Sequence, residues 1–235
     1  MFPSLHNRQI IIAGTGGMGT AIAEMLLQEQ ALVVLSYRTR PEPAFQATAI
    51  QADLTVAEDR GRLLDAAPDV YGVVITAGDP ARPQAGEALE ASMRRSHDNN
   101  YLGPILLARE ACERMRAAGQ AGSVVLLATM QAVALFPGSA TYAAPKAALI
   151  HAAKLLAKEF RGAGGIRVNV VSPGITETGM ALASIAAGKY NRYLEDNTLA
   201  RFGQARDVAR AVRLFLEPDN YITGQVLSVD GGITL

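Results

Sequence analysis

Seven short apolar runs recur along the chain, and most are separated by stretches with helical spacing. This rhythm limits the fold more than any other feature. The runs are QIIIA (9–13), ALVVLS (31–36), ATAIQA (47–52), GVVITA (72–77), SVVLLA (123–128), IRVNVV (166–171) and QVLSV (225–229). Each is too short for a helix and rich in Val, Ile or Leu. None alternates cleanly with polar residues, so both faces should be buried, as in a parallel sheet. Among the helical stretches, MGTAIAEMLLQEQ (18–30) sets Ile22, Met25, Leu26 and Glu29 at helical spacing, and VARAVRLFLE (208–217) does the same with Val208, Val212 and Phe215. Repeated β-α alternation predicts an α/β fold, a doubly wound parallel sheet with helices on both faces. At 235 residues, one domain spanning 1–235 is the default. No internal repeat, linker or low-complexity segment interrupts it. The one long stretch without a strand, 174–224, opens on a Pro-Gly turn. Its segment 179–203 is expected to be a substrate lid, since long insertions after the C-terminal end of a strand overlie ligand sites.

Charge excludes some functions. Lys+Arg and Asp+Glu balance at 22 each, so nothing points to nucleic acid or an anionic membrane. Cys112 is the one cysteine, which excludes an intrachain disulfide and favours a reducing compartment. The N-terminal MFPSLHNRQIIIAG lacks the pattern of a signal peptide, and no run has the ~18 apolar residues of a membrane span. A cytoplasmic protein is expected. No metal site is expected.

The first strand runs into IIIAGTGGMGTAIAEML, a strand, a turn and a helix. The turn reads G-x-G-x-x-G with Gly14, Gly16 and Gly19, and Gly17 adds a fourth glycine. Such a turn lets the backbone approach a pyrophosphate while the free N–H groups opening the helix hold the anion. The alternatives are a tight turn without a ligand and the cofactor turn of a methyltransferase. The second strand bears on which dinucleotide binds. A site for NAD usually ends that strand in Asp or Glu, for the ribose 2′-OH. Here the strand ends LSYRTR, with Tyr37 at the acidic position, then Arg38 and Arg40. A guanidinium suits a 2′-phosphate by charge and by its paired donors. Arg38 is read as the phosphate ligand and Arg40 as a solvated loop arginine. Asp53, after the third strand, either meets the adenine or caps the following TVAEDRGRLL helix.

SATYAAPKAALIHAAKLLAKEF (139–160) opens a long, alanine-rich helix with Tyr142 and Lys146 four residues apart, hence on one face. Pro145 between them is tolerated only near a helix start, which places Tyr142 at the positive end of the helix dipole. A phenol ordinarily titrates at ~10. The ammonium and the dipole both favour phenolate, so the pair is expected to make an acid/base working near neutral pH. The alternative is a surface lysine beside a core tyrosine.

These motifs occur in order with TAG (76–78), NYLG (100–103), YAAPK (142–146), VSPG (171–174) and YITGQVLSVDGG (221–232). Over its whole length the chain resembles the short-chain dehydrogenase/reductase family, within it the 3-oxoacyl-carrier-protein reductases. The resemblance implies a Rossmann sheet of about seven strands, NADP(H) as cofactor and reduction of a ketone to a secondary alcohol. It also implies a homodimer or homotetramer through helices 100–117 and 142–161. Tyr142 matches the family's acid/base and Lys146 the lysine that lowers its pKa and holds the nicotinamide ribose. Asn100 matches the asparagine supporting a relay water, with Asn99 as the other register. Thr178 matches a threonine that contacts the cofactor. Further cofactor contacts are implied for Met18, Leu54, Ala77, Gly78, Pro173, Gly174 and Ile175.

Three positions depart from the family pattern. Thr129 stands where a serine is usual, 13 residues before the tyrosine; its hydroxyl can still donate to a carbonyl. Thr76 replaces an asparagine that braces the sheet. The glycine turn is one residue short, with Ala13 in place of a threonine. These departures keep a non-catalytic NADP-binding regulator open. The carrier-docking arginines of the subgroup match Gln120 and Ala163, with Arg116 and Arg161 nearby. The substrate is expected to be a carrier-bound 3-oxoacyl chain or, alternatively, a free ketone. Asp79, Gln131, Met180 and Tyr190 are the candidates to face it.

Overall fold

All seven apolar runs become strands of one sheet in the computed structural model, which describes residues 4–39, 47–162 and 164–235. They are β1 (Gln9–Ala13), β2 (Leu32–Tyr37), β3 (Thr48–Gln51), β4 (Val70–Ile75), β5 (Gly122–Leu127), β6 (Ile166–Pro173) and β7 (Val226–Val229). The spatial order is β3-β2-β1-β4-β5-β6-β7, and every neighbouring pair is parallel. The absence of alternation has the expected cause. β4 and β5 are buried along their whole length, whereas the edge strands β3 and β7 are partly exposed. The run expected at 72–77 ends earlier, at Ile75, because the N–H groups of Thr76 and Ala77 both turn onto the carbonyl of Ala13.

The helices among the described residues are α1 (Gly17–Gln28), α2 (Ala57–Asp65), α3 (Leu89–His97), α4 (Gly103–Ala117), α5 (Ala140–Phe160), α6 (Leu182–Ala186), α7 (Arg192–Glu195) and α8 (Ala205–Leu216). Alternate β1 residues face two separate cores. Ile11 packs with Leu63, Leu107 and Leu156 from α2, α4 and α5. Ile10 and Ile12 pack with Ile22, Leu26, Val212 and Phe215 from α1 and α8. Glu29 lies just past α1 and forms an ion pair with Arg213 of α8. The stretch expected as one helix over 100–117 begins in a π-turn, Asp98–Leu102, that joins α3 to α4. Single π-turns inside helices frequently mark functional sites.

The strand order reverses between β1 and β4, and the crevice at such a switch point is where open α/β sheets bind ligands. The segment expected as a lid carries α6 and α7. It has its own small core, in which Leu199 and Phe202 pack on Met130 and Ile175. Among the described residues, no helix is long and apolar enough to cross a membrane.

Candidate active site

A cleft of about 1080 Å³ opens at the C-terminal ends of the strands. Gly14, Gly16, Gly17, Met18 and Gly19 line one end, and Tyr142, Lys146 and Thr129 line the other. Arg38, Asp53, Leu54, Ala77, Gly78, Pro173, Gly174, Ile175 and Thr178 also border it. Tyr37 does not. Side chains along a strand alternate faces, so Ser36 and Arg38 reach the cleft and Tyr37, between them, does not. Arg40 and Ala163 lie outside the described residues.

The shortened glycine turn keeps its geometry through two crowded positions. Gly14 has φ +112°, and a Cβ there would sit 2.8 Å from both the Ala77 nitrogen and Thr76 Oγ1. A Cβ on Gly19 would collide with the Gly14 carbonyl oxygen. Thr76, the departure from the family asparagine, donates its hydroxyl to the Gly14 carbonyl at 2.7 Å, tying β4 to the turn. Gly16 caps α1 without any side-chain hydrogen bond, and the first turn of α1 holds no carboxylate. The N–H groups at a helix start with no such partner form an anion site. The residues present therefore fit a dinucleotide pyrophosphate. Thr178 Oγ1 rests against Gly17 across the same space.

At the far end of β2, Arg38 donates from Nη1 to Asn99 Oδ1 at 2.7 Å. Asn99 in turn donates to the Arg95 carbonyl at 2.8 Å. Asp53 accepts from the N–H and hydroxyl of Thr55, at 2.9 and 2.7 Å. It thus closes a turn ahead of α2, whose N-cap is Val56, rather than capping the helix itself.

Tyr142 sits in the first turn of α5, and Pro145 lies inside that helix. The missing N–H of Pro145 leaves the Thr141 carbonyl without its usual helical donor. Ser96 of α3 supplies one, its Oγ donating to that carbonyl at 2.6 Å. Asn100, fully buried in the π-turn, donates to Ser96 Oγ at 3.0 Å. The start of α5 is thereby tied to α3 and the π-turn through polar groups that a single helix pattern does not reveal.

The ionisation of Tyr142 runs opposite to the sequence expectation. Its ring is partly open to the cleft, but the atoms packed around its hydroxyl desolvate the phenolate and push the pKa up to about 12. The Thr129 side chain works against this rise, and the charge of Asp79 adds to it. Lys146 is buried, and that burial alone lowers its pKa to about 8. Its Nζ donates to the Leu127 carbonyl at 2.8 Å. Sharing a helix face with Tyr142 does not turn the ammonium toward the phenol, and desolvation outweighs the dipole. Thr129 is buried and accepts a hydrogen bond from the Gln131 N–H at 3.3 Å, capping a short 3₁₀ turn.

Of the substrate-facing candidates, Gln131, Met180 and Tyr190 line the cleft. Asp79 does not. It is buried and ion-paired with Arg95, which also holds Glu87 through two hydrogen bonds of 2.9 Å. A larger cavity, about 1440 Å³, lies at the opposite ends of the strands and is lined by Gln120 and Arg161, among others. Gln120, one of the two positions that match the carrier-docking arginines, and Arg161, near the other, therefore border the end of the subunit opposite the cleft. Arg116 stacks on Phe160, 4.6 Å from the ring centre. The sequence reading missed Arg82, Lys189 and Arg192, which line the cleft from the loop after β4 and from the segment that carries α6 and α7. No short motif contains them.

A family model described as enoyl-(acyl carrier protein) reductase matches residues 12–234. The chain belongs to the short-chain dehydrogenase/reductase family. NADPH-dependent aldehyde reductase 2 of Arabidopsis thaliana is 31% identical over 98% of this chain and 95% of its own. The 3-oxoacyl-acyl-carrier-protein reductase of Chlamydia trachomatis is 28% identical over 97% and 98%. A short-chain dehydrogenase/reductase structure from Mycobacterium ulcerans superposes with a TM-score of 0.87 at 27% identity, covering 98% of this chain and 91% of that one. As a member of this family the chain is an oxidoreductase.

Proposed function

We propose that this chain is an NADPH-dependent reductase that converts a ketone to a secondary alcohol. The observation that carries the reading is the joining of two half-sites in one cleft. Uncapped N–H groups of α1 lie at one end, and Tyr142, Thr129 and Lys146 lie at the other. When bound, the dinucleotide supplies the hydride. Gly16, Gly17 and Met18 would hold its pyrophosphate, and Lys146 would meet its nicotinamide ribose.

The chain's own residues provide the proton and the polarisation. With a pKa raised to about 12, Tyr142 carries its proton throughout the neutral range and donates it to the oxygen of the reduced carbonyl. Thr129, beside it, donates to the same oxygen and offsets its developing charge. Lys146, one helical turn further along α5, stays largely protonated below its pKa of about 8 and so presents a cation at the ribose end of the site. Asn100 fixes the geometry of the wall behind them.

Arg38 supports NADPH over NADH. It borders the cleft where a carboxylate would otherwise receive the ribose 2′-OH, and its planar fork suits a phosphate. The Arabidopsis relative is named as NADPH-dependent. For the substrate, a free ketone is favoured over a carrier-bound chain by the placement of Gln120 and Arg161 at the far ends of the strands. A homodimer or homotetramer through α4 and α5 is in keeping with the half-exposed Leu155 on α5.

The test is loss of nicotinamide absorbance with a panel of ketones, run with NADPH and NADH in parallel and including a 3-oxoacyl carrier-protein substrate. Turnover with NADPH at least ~10-fold more efficient than with NADH supports the reading. Tight NADPH binding without oxidation across the panel would overturn catalysis and favour a regulator.

A further inference from the structure

The chain as a whole is electrically neutral, yet its cleft is not. Of the charged residues lining it, Arg38, Arg82, Lys146, Lys189 and Arg192 are cations, and Asp53 is the one carboxylate. Arg38, Asp53 and Lys146 fall on the path of the dinucleotide. Arg82, Lys189 and Arg192 match none of the positions expected to contact it. They border the same cleft as Gln131, Met180 and Tyr190, Arg82 from the loop after β4 and the other two from the segment that carries α6 and α7.

The same segment turns its carboxylates away from the cleft, and also Arg201, which pairs with Asp207. Its carboxylates Glu195 and Asp196 are absent from the lining, and Asp196 instead closes a turn by accepting from the Thr198 N–H at 2.9 Å. Lys189 lies over the Tyr190 ring, 5.5 Å from its centre, and Arg192 over Tyr193 at 4.6 Å. Arg192 also donates from Nη2 to the Tyr193 hydroxyl at 2.6 Å and feels the charge of Asp196, which lies outside ion-pair contact; cation–π contacts of this kind hold a charge in place without pairing it. Arg82 donates from Nη2 to the Met180 carbonyl at 2.8 Å, which fixes the loop after β4 against the lid. Among the described residues none of the three cations has a carboxylate in ion-pair contact. Leu89, Phe136 and Met180 add apolar surface to the same cleft.

We propose that the substrate is a ketone bearing an anionic group, a carboxylate or phosphate ester, held by Arg82, Lys189 and Arg192. This rests on the ketoreductase reading. All three cations are solvent-exposed, so the cationic rim acts by steering: it raises the local concentration of such an anion in a salt-dependent way and orients it, so the neutral end of the molecule is delivered to Tyr142. A free keto acid and the phosphate of a carrier handle share this chemistry.

The experiment uses matched pairs of substrates with NADPH: a keto acid against its methyl ester, and acetoacetyl-coenzyme A against the phosphate-free acetoacetyl-N-acetylcysteamine. The expected result is a kcat/KM preference of about 10-fold or more for the charged member of at least one pair, shrinking as salt rises. The pair that shows it identifies the source of the anion. In a Lys189→Glu/Arg192→Glu variant the preference should fall toward one or reverse. Equal turnover of both members of both pairs overturns this inference and leaves the ketoreductase reading standing. So does a variant that weakens NADPH binding while keeping the preference, since the cations would then serve the cofactor. If no ketone is turned over, calorimetric titration of the keto acid and of acetoacetyl-coenzyme A into the NADPH complex decides. Binding of either that the double variant loses supports the anion site, whereas no binding, or equal binding by the variant, overturns it.

Discussion

Asn100 holds Asp79 by both sides of its backbone: its Oδ1 accepts from the Asp79 N–H at 3.0 Å, and its Nδ2 donates to the Asp79 carbonyl at 2.9 Å. The Asp79 carboxylate is meanwhile paired with Arg95, and its charge acts on Tyr142. The asparagine and the acid/base are thus linked through a residue that touches no part of the cleft. Two variants test this with opposite signs. Asp79→Asn removes a negative charge that disfavours phenolate, so the Tyr142 limb in the pH profile of alcohol oxidation should move to lower pH. Arg95→Leu leaves that charge uncompensated, and the limb should move up. Breaking the pair also costs stability, about 2–3 kcal/mol for a pair that keeps some solvent. Asp79→Asn/Arg95→Leu should recover only part of that loss, because Glu87 also loses the guanidinium that holds it. Limbs that do not move would separate Asp79 from the chemistry.

Tyr142→Phe should remove turnover while leaving the cofactor Kd within about 2-fold, because only a transition-state proton transfer is lost. Thr129→Val deletes a hydroxyl at nearly constant shape, and a loss of ~10²-fold in kcat is expected for one donor to a developing oxyanion. Thr129→Ser should keep most activity. Silence of both Thr129 variants would assign the polarisation to another group.

Lys146 is a buried ammonium with a backbone carbonyl as its hydrogen-bond acceptor, an arrangement that serves function at the expense of stability. Its folded pKa of about 8 lies below the unfolded ~10.4, a difference on the order of 3 kcal/mol. Between those values the unfolded chain binds more protons, so the penalty is fully present below about pH 8 and is relieved as pH rises toward 10. Lys146→Met should therefore melt higher at pH 7, by roughly 2–6 °C, with activity abolished. The difference from wild type should narrow by pH 10. A variant that melts lower at pH 7 would show that the Leu127 contact outweighs desolvation.

The strands were legible because burial on both faces leaves a mark that any apolar run carries, and their parallel arrangement followed from β-α alternation. The glycine turn and the Tyr142–Lys146 spacing were legible because they are local. What escaped depends on density and on contacts between distant segments. The pKa of Tyr142 was misjudged because periodicity reports which residues share a face, not how much water reaches a hydroxyl. The bond from Ser96 to Thr141 spans 45 positions. Arg82 and Lys189 come together only because their two loops meet over the cleft. Asp79 read as a substrate-facing residue because its partner Arg95 lies 16 positions on, inside α3.

Two glycines of one motif should behave differently. A Cβ on Gly19 collides with the Gly14 carbonyl, so Gly19→Ala should destabilise by about 1–3 kcal/mol through overpacking. A Cβ on Gly16 meets nothing within 4 Å. Gly16→Ala should fold with a near-normal Tm but bind NADPH more weakly, because the added methyl points into the space a pyrophosphate needs. Chemical denaturation and cofactor titration on the two variants check this. Equal effects of both on stability would mean that the open space at Gly16 is not the cofactor's.

Arg38→Asp should reverse the cofactor preference. The guanidinium keeps one donor nitrogen on Asn99 and has others free for a 2′-phosphate, a charge-assisted contact worth ~1.5–3 kcal/mol. A carboxylate there repels the phosphate and offers an acceptor to the free 2′-OH of NADH. The expected outcome is a fall of ~10²-fold in kcat/KM for NADPH, with NADH unchanged or improved. Asn99→Ala separates position from charge. It releases the guanidinium without removing it, so NADPH efficiency should drop by less, and NADH should not gain. Arg40→Asp serves as the control, at fixed ionic strength, since exposed charges are screened. A preference for NADH in the wild type would overturn the reading of Arg38. A shift in preference with Arg40→Asp alone would move the phosphate ligand along the loop and keep the cofactor.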